Sequence, residues 1–225
     1  MSRKPPKFSD IDKEWMKSRK DRNKKIFPEY HLIICEGKKT EPLYFEIISD
    51  IINNKYKGRI ALIPKGKARG TLELLDEAIK EHEKLNREIK HVWIVYDKDE
   101  FSKDSFDNTF YKCQEMGEYK GAKYHAIYSN ECVELWFLLH FKYIDVPHTR
   151  AEYIEMLNEQ YKANKLGKYM KNDEKTCEKL LPYIDTALEN AKKLDDTYNQ
   201  SDSPCKRNPT TKIYELIDIL KNYLK

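Results

Sequence analysis

Residues 91–100 read HVWIVYDKDE, and this stretch decides the fold. Its first six residues form the most hydrophobic strand candidate in the chain, and four charged residues end it abruptly. Shorter apolar runs occur at 32–35, 60–63 and 124–128, and each is followed by a segment with helical periodicity. Strands that alternate with helices predict parallel strands joined by right-handed crossovers. We therefore expect an α/β fold, an open sheet of mostly parallel strands with helices on both faces.

The chain on either side of this sheet has a different character. Residues 1–25 contain ten Lys or Arg and four Asp or Glu, so they form a basic N-terminal arm. Beyond Pro147 no further strand is predicted, because residues 149–199 have helical periodicity and 210–224 reads as a last amphipathic helix. The predicted units are the arm at 1–25, an α/β domain at 26–145 and a helical C-terminal part at 146–225 that packs on it.

Composition excludes several classes of protein. Of the 225 residues, 40% are hydrophobic and 12% aromatic, which predicts a packed core and argues against disorder. No apolar run reaches the roughly 20 residues that span a bilayer. Five cysteines without short spacing predict free thiols in a reducing cytoplasm. The net charge of +4 is concentrated in the basic arm, which favours contact with phosphates or, equally, a solvated tail.

Acidic residues follow two of the predicted strands. Glu36 comes directly after the first strand, and Asp97 and Asp99 follow the third. Ligands of open parallel sheets bind at the carboxyl ends of the strands, and the first strand commonly lies beside the third. We expect the three carboxylates to meet in one crevice, where a divalent cation would relieve their repulsion. Oxygen ligands favour Mg²⁺ or Mn²⁺ over zinc; the alternative is that each residue is an ordinary loop or turn acid.

Other candidates have weaker support from the residues alone. Glu134 lies among apolar neighbours in a helix, so its charge needs an ion pair or a metal. His140 lies in the same helix, and a histidine in an apolar helix is more often a hydrogen-bonded core residue than a catalyst. A basic, glycine-bearing loop at 64–71 could present cations to a phosphate or be an ordinary exposed loop. The predicted substrate-binding residues are Lys38, Lys65, Lys67 and Arg69.

Three strings of sequence carry a resemblance to a known family. They are CEGKKTEPLYF at 35–45, SNECVELWFLLHF at 129–141 and NPTTKIY at 208–214. A strand followed by Glu-Gly, and a later strand followed by Asp-x-Asp, resemble the Toprim domain of topoisomerases, primases and OLD-type nucleases. With the other two strings, the chain from about residue 28 onward resembles the RloB family of small bacterial and archaeal Toprim-like proteins. It departs from the family pattern at Glu131, where we expect proline.

The resemblance implies roles for several acids. Glu36 matches the Toprim glutamate, which serves as a metal ligand or general acid/base. Asp97 and Asp99 match the metal-binding Asp-x-Asp. Three further acids lie in family strings without a settled role: Glu41, Glu100 and Glu134. Members of the RloB family are often encoded beside an ATPase and are linked to phage defence and abortive infection.

The hypothesis that follows is a Mg²⁺- or Mn²⁺-dependent nuclease of the cytoplasm that hydrolyses RNA, such as transfer RNA, or DNA in antiviral defence. The alternative is a nucleic-acid-binding or regulatory subunit that acts with a partner ATPase and is not catalytic by itself. Toprim chemistry also serves nucleotidyl transfer, as in primases. The sequence predicts no membrane contact and leaves the oligomeric state open, a homo-oligomer included.

Overall fold

The computed structural model describes residues 28–64, 71–98 and 102–224. The strands of these segments are β1 (His31–Cys35), β2 (Ile60–Pro64), β3 (His91–Asp97), β4 (Glu118–Tyr119), β5 (Ala122–Asn130) and β6 (Thr210–Thr211). They form one sheet in the order β2-β1-β3-β5-β4, with β6 paired to the carboxyl end of β5. β1, β2, β3 and β5 are parallel, whereas β4 and β6 run antiparallel to β5. The first strand therefore lies beside the third, as predicted.

Helices connect and cover these strands. In the described segments they are α1 (Thr40–Tyr56), α2 (Thr71–Lys84), α3 (Lys103–Met116), α4 (Val133–Leu139), α5 (Arg150–Ala163), α6 (Glu174–Glu178), α7 (Ile184–Asp195) and α8 (Ile213–Leu220). A capping box begins α5: the Glu152 carboxylate accepts the backbone N–H of Thr149 at 2.7 Å, and the Thr149 hydroxyl accepts that of Glu152 at 3.4 Å. The box fixes the start of α5 at Arg150.

Both faces of the sheet are buried under helices. Ile33 and Trp93 point to a face packed by α1, α4 and the C-terminal helices, whereas Leu32 and Ile94 point to a face packed by α2 and α3. All four side chains are at most 1% exposed. Strands that are buried on both sides need apolar residues at every position, which is why they read as continuous apolar runs. The predicted α/β class, with helices on both faces, is confirmed.

A strand that the sequence did not predict joins the C-terminal part to the sheet. Thr210 and Thr211 form β6 beside β5 instead of starting a helix, and α8 begins only at Ile213. The hydroxyls of Ser129 and Thr211 share a hydrogen bond of 2.9 Å. The side chain of Asn130 donates to the backbone carbonyls of Pro204, Cys205 and Arg207, at 3.1 to 3.3 Å. The prediction of no strand in this part is therefore wrong, because a two-residue strand shows no periodicity.

The cysteines agree with their predicted state, since all five are free thiols. Among the helices of the described segments, none is long and apolar enough to cross a membrane. The basic arm at 1–25 lies outside the described residues.

Candidate functional site

Three acidic side chains gather at the carboxyl end of the central strands. Asp97 is the last residue of β3, Glu41 lies in the first turn of α1, and Glu134 lies in the first turn of α4. Asp97 and Glu41 line a cavity of about 300 Å³. The other lining residues are Gly37, Lys38, Lys39, Thr40, Val133, Arg150, Lys171 and Asn172. In parallel sheets this end of the strands is where ligands bind. We call this space the acidic cavity.

Asp97 joins β3 to two helices through one carboxylate oxygen. Its Oδ2 accepts the backbone N–H of Val133 and a guanidinium N–H of Arg150, each at 3.1 Å. The first bond satisfies a backbone donor at the start of α4, and the second holds the start of α5 against the end of β3. Because the side chain of Asp97 is only 5% exposed, water competes little for these contacts.

Glu134 is a fully buried carboxylate whose charge is balanced by two cations. Lys171 Nζ lies 3.2 Å from its Oε1, and Arg150 Nε lies 3.5 Å from its Oε2. In the part of the chain that the structure describes, neither oxygen has a hydrogen-bond partner. The two cationic side chains are 39% and 33% exposed, so they reach inward from the solvent side. The apolar neighbours of Glu134 predicted that its charge needs an ion pair or a metal ion, and the ion pair is present.

Glu41 faces the acidic cavity from the start of α1. Burial raises the pKa of its carboxyl; a hydrogen bond from its own backbone opposes this shift, and the charge of Glu134 adds to it. The carboxylate lies directly over Gly37, where a Cβ would collide with it. Thr40 donates a hydrogen bond of 2.9 Å to the side chain of Asn172, which ties this turn to the segment that follows α5. The absence of a side chain at Gly37 therefore leaves the space that the Glu41 carboxylate occupies.

Glu36 comes directly after β1 and Asp97 ends β3, the neighbouring strand, but their charges act on different faces of the sheet. The Glu36 backbone N–H donates to the carbonyl of Val95 at 2.9 Å, which places Glu36 beside Tyr96. Burial is the main cause of the raised pKa of Tyr96, on the face packed by α2 and α3, and the charge of Glu36 adds to it. On the opposite face, burial raises the pKa of Cys35, and the charge of Asp97 adds to that shift. A metal ion shared by Glu36 and Asp97 stays a prediction.

His140 is a neutral core histidine. Its Nδ1 lies 2.9 Å from the carbonyl oxygen of Trp136, and its Nε2 lies 3.3 Å from the hydroxyl of Tyr44. Burial lowers its pKa to about 4. A neutral ring with its proton on Nδ1 donates to the carbonyl and accepts from the tyrosine. These contacts link α1 to α4 and are those of a structural histidine.

The predicted substrate-binding residues are only partly within the described chain. Lys38 lines the acidic cavity beside Lys39, and both are exposed. The predicted site residues that lie outside the described segments are Lys65, Lys67, Arg69, Asp99 and Glu100.

The carboxylates of the acidic cavity are compatible with a magnesium or manganese ion. Among the described residues, no three His, Cys, Asp or Glu side chains are arranged to hold a metal ion together. Mg²⁺, however, commonly takes one or two carboxylates and completes its shell with water and substrate phosphate. Asp97 and Glu41 supply two carboxylates, and a nearby cation would offset the burial that raises the pKa of Glu41. Two carboxylates in one cavity are a donor set of the kind that such an ion uses, and a Mg²⁺ or Mn²⁺ ion at this place stays a prediction.

Sequence reasoning missed Arg150 and Lys171. Both come from the helical C-terminal part, and each contacts an acid that is distant in sequence. They lie in ordinary charged segments without a motif. The one usable signal was Glu134, because a charge in an apolar helix demands a partner without naming it.

One family model matches most of the chain. The model described as RloB-like protein matches residues 31–220, which include the sheet and the acidic cavity. No curated protein and no solved structure gives a significant match to the chain. Because the family match extends over most of the sequence, the chain belongs to the RloB-like protein family.

Proposed function

We propose that this RloB-like protein is a Mg²⁺- or Mn²⁺-dependent nuclease that hydrolyses phosphodiester bonds of RNA or DNA. The observation that carries the proposal is the composition of one cavity, which combines two carboxylates with four cationic side chains at the carboxyl end of a parallel sheet. Phosphodiester hydrolysis uses both, because carboxylates bind the metal ion and cations bind the phosphate. The resemblance of the family to Toprim nucleases supports the same reaction.

The side chains of the site would divide the work in three ways. Asp97 and Glu41 would hold the metal ion, which when bound polarises the phosphate and lowers the pKa of a water. Arg150 and Lys171 would face the scissile phosphate and oppose the negative charge that grows on its oxygens. Glu134 would hold both cations in place from the buried side.

The test is cleavage of labelled RNA and DNA by the full chain with Mg²⁺, Mn²⁺ or EDTA. Asp97→Asn and Lys171→Gln are compared with Asp104→Asn, which changes an exposed acid on α3. Circular dichroism checks that each variant is folded. We expect cleavage to need the metal ion and to fall by at least about 100-fold in the first two variants but not in the third. Cleavage that survives EDTA or Asp97→Asn would contradict the proposal.

One observation favours a second function. Asp97 already has two partners, Val133 and Arg150, so a structural role explains this acid without a metal ion. In that case the chain is a nucleic-acid-binding or regulatory subunit, and cutting belongs to a complex with a partner ATPase. Calorimetry with Mn²⁺ separates the two functions. Binding that is lost in Asp97→Asn supports the nuclease, whereas the absence of binding that depends on either cavity acid supports the subunit.

We propose further that the activity serves phage defence, with transfer RNA or invading DNA as the substrate, as the resemblance to the RloB family implies. Phage should form fewer plaques on cells that express the chain with its genomic neighbours than on cells that express Asp97→Asn at the same protein level. Equal plaque numbers would count against a defence role of this site and would leave the result of the cleavage assay unaffected.

A further inference from the structure

A second cavity, of about 410 Å³, adjoins the acidic cavity and has no part in the mechanism above. It lies between α1 and β2, the strand at the edge of the described sheet. The two cavities share Lys38, Lys39 and Asn172. A ligand with a phosphate at the shared lysines can therefore extend from one cavity into the other. The volume is in the usual range of pockets for small organic ligands.

The second cavity has an apolar part and a buried hydroxyl among its charged and polar lining residues. Ser49 lines the cavity from α1 and is 4% exposed. In the described part of the chain its hydroxyl has no hydrogen-bond partner, although a serine inside a helix often bonds a carbonyl one turn back. A buried hydroxyl without a partner is costly, and a polar ligand atom would remove that cost. The apolar lining consists of Pro42, Leu43, Ile60 and Leu62.

The outer edge of β2 adjoins this cavity, which Ile60 and Leu62 line. Both backbone groups of Ile60 bond the side chain of Asn53, on the side away from β1. The carbonyl of Arg59, by contrast, accepts the N–H of His31 in β1. Successive residues of a strand direct their backbone groups to alternate edges, so the N–H and C=O of Leu62 also point away from β1. Leu62 thus carries a donor and an acceptor side by side, a pattern that matches the edge of a nucleobase.

Charge divides the combined site into two ends. Glu46 and Asp50 are exposed and line the second cavity, where they repel an anion. Lys38 and Lys39 stand where this cavity meets the acidic one. A nucleotide has the same division, with an anionic phosphate at one end and a neutral planar base at the other.

We propose that the second cavity binds the base of a nucleotide whose phosphate lies at Lys38 and Lys39, next to the phosphate that is cut. The position beside the cut rests on the proposed nuclease function, whereas base binding does not. A base can enter a pocket between a helix and a strand only when it is unstacked. The pocket therefore selects single-stranded or flipped-out nucleotides over paired ones.

The first experiment measures binding to the full chain without metal. The ribonucleoside and deoxyribonucleoside 5′-monophosphates and ribose 5-phosphate are titrated and followed by calorimetry. We expect at least one nucleotide to bind about tenfold or more tightly than ribose 5-phosphate. Leu62→Trp, which fills the cavity, should abolish this advantage, and Ser49→Ala should reduce it.

Thr109→Val is the matched control, because it removes a buried helix hydroxyl on the opposite face of the sheet. It should leave the preference for nucleotides unchanged. Ser49→Ala breaks no hydrogen bond within the described chain, so it decides the outcome if Leu62→Trp does not fold. Equal affinity for nucleotides and ribose 5-phosphate would overturn the proposal. A base preference that Ser49→Ala leaves untouched would overturn it too.

The second experiment separates base binding from the nuclease. RNA and DNA strands with an abasic nucleotide beside the cut are compared with intact strands. A preference for ribose or for deoxyribose shows whether the bound base comes from RNA or from DNA. Cleavage that slows about tenfold at the abasic position, and less so in Ser49→Ala, supports both proposals. Base-dependent binding without cleavage leaves the pocket standing and refutes the nuclease. Cleavage that ignores the base refutes the pocket's place beside the cut.

Discussion

Glu134 offers the sharpest test of how the site is held together. Its buried carboxylate lies 3.2 Å from Lys171 and 3.5 Å from Arg150. At an effective dielectric constant of about 20, each pair has a Coulomb energy of roughly 5 kcal/mol, most of which offsets the lost hydration of a buried charge. Removing one partner of a buried pair costs about 3–5 kcal/mol, and the partial exposure of both cations lowers this value. We expect Glu134→Gln to reduce the free energy of unfolding by about 2–3 kcal/mol.

Urea unfolding measures this change, with the fluorescence of the buried Trp93 and Trp136 as the signal. Glu159→Gln, on the exposed surface of α5, is the matched control and should stay within about 0.5 kcal/mol of the wild type. A double-mutant cycle with Lys171→Met isolates one ion pair, with an expected coupling of about 1 kcal/mol or more. A coupling of zero, or equal effects of Glu134→Gln and Glu159→Gln, would refute the ion-pair account.

Three further predictions concern pH, a backbone clamp and the turn before α1. Burial and the charges of neighbouring histidines lower the pKa of His31 to about 3, so the folded chain resists a proton that the unfolded chain accepts below about pH 6.5. This group should therefore cost about 1.4 kcal/mol of stability per unit as the pH falls from 6.5 towards 3, and urea titrations at pH 7.5 and 5 should show a smaller loss in His31→Gln. Asn130→Ala removes the donor to three backbone carbonyls and should lower the stability by about 2–3 kcal/mol in thermal unfolding; a change below about 0.5 kcal/mol would argue against the clamp. Gly37→Ala places a Cβ where the Glu41 carboxylate lies, so this carboxylate must shift and Mn²⁺ binding should weaken in calorimetry; an unchanged affinity would show that the position of the Glu41 carboxylate does not matter for the ion.

The central strands could be predicted because their burial on both faces leaves a clear trace in the sequence. Each predicted apolar run lies within an observed strand of the parallel sheet. β4 and β6 left no such trace, since two residues show no periodicity. Thr210 and Thr211 pair with β5 although the residues that follow them in sequence are helical, so a long-range contact overrides the local pattern there.

The site was predictable where it depends on strand ends and unpredictable where it depends on packing. Asp97 follows from its place after an apolar strand, and Glu134 from its apolar neighbours. Arg150 reaches Asp97 across 53 positions of sequence, through the packing of one helix on another. Local spacing holds no information about such a contact. The same is true of Ser49, whose missing partner is visible only in three dimensions.

The pairing of β6 with β5 also bears on when the protein becomes active during its synthesis. Ser129, the neighbour of Asp97 in the sheet, is held by Thr211, and Arg150 and Lys171 are translated well after Asp97 itself. At roughly 5–20 residues per second, a ribosome reaches Thr211 on the order of 10 s after Asp97. We expect a growing chain to lack the finished centre throughout this interval. For a protein proposed to cut RNA, such a lag would spare the messenger that encodes it.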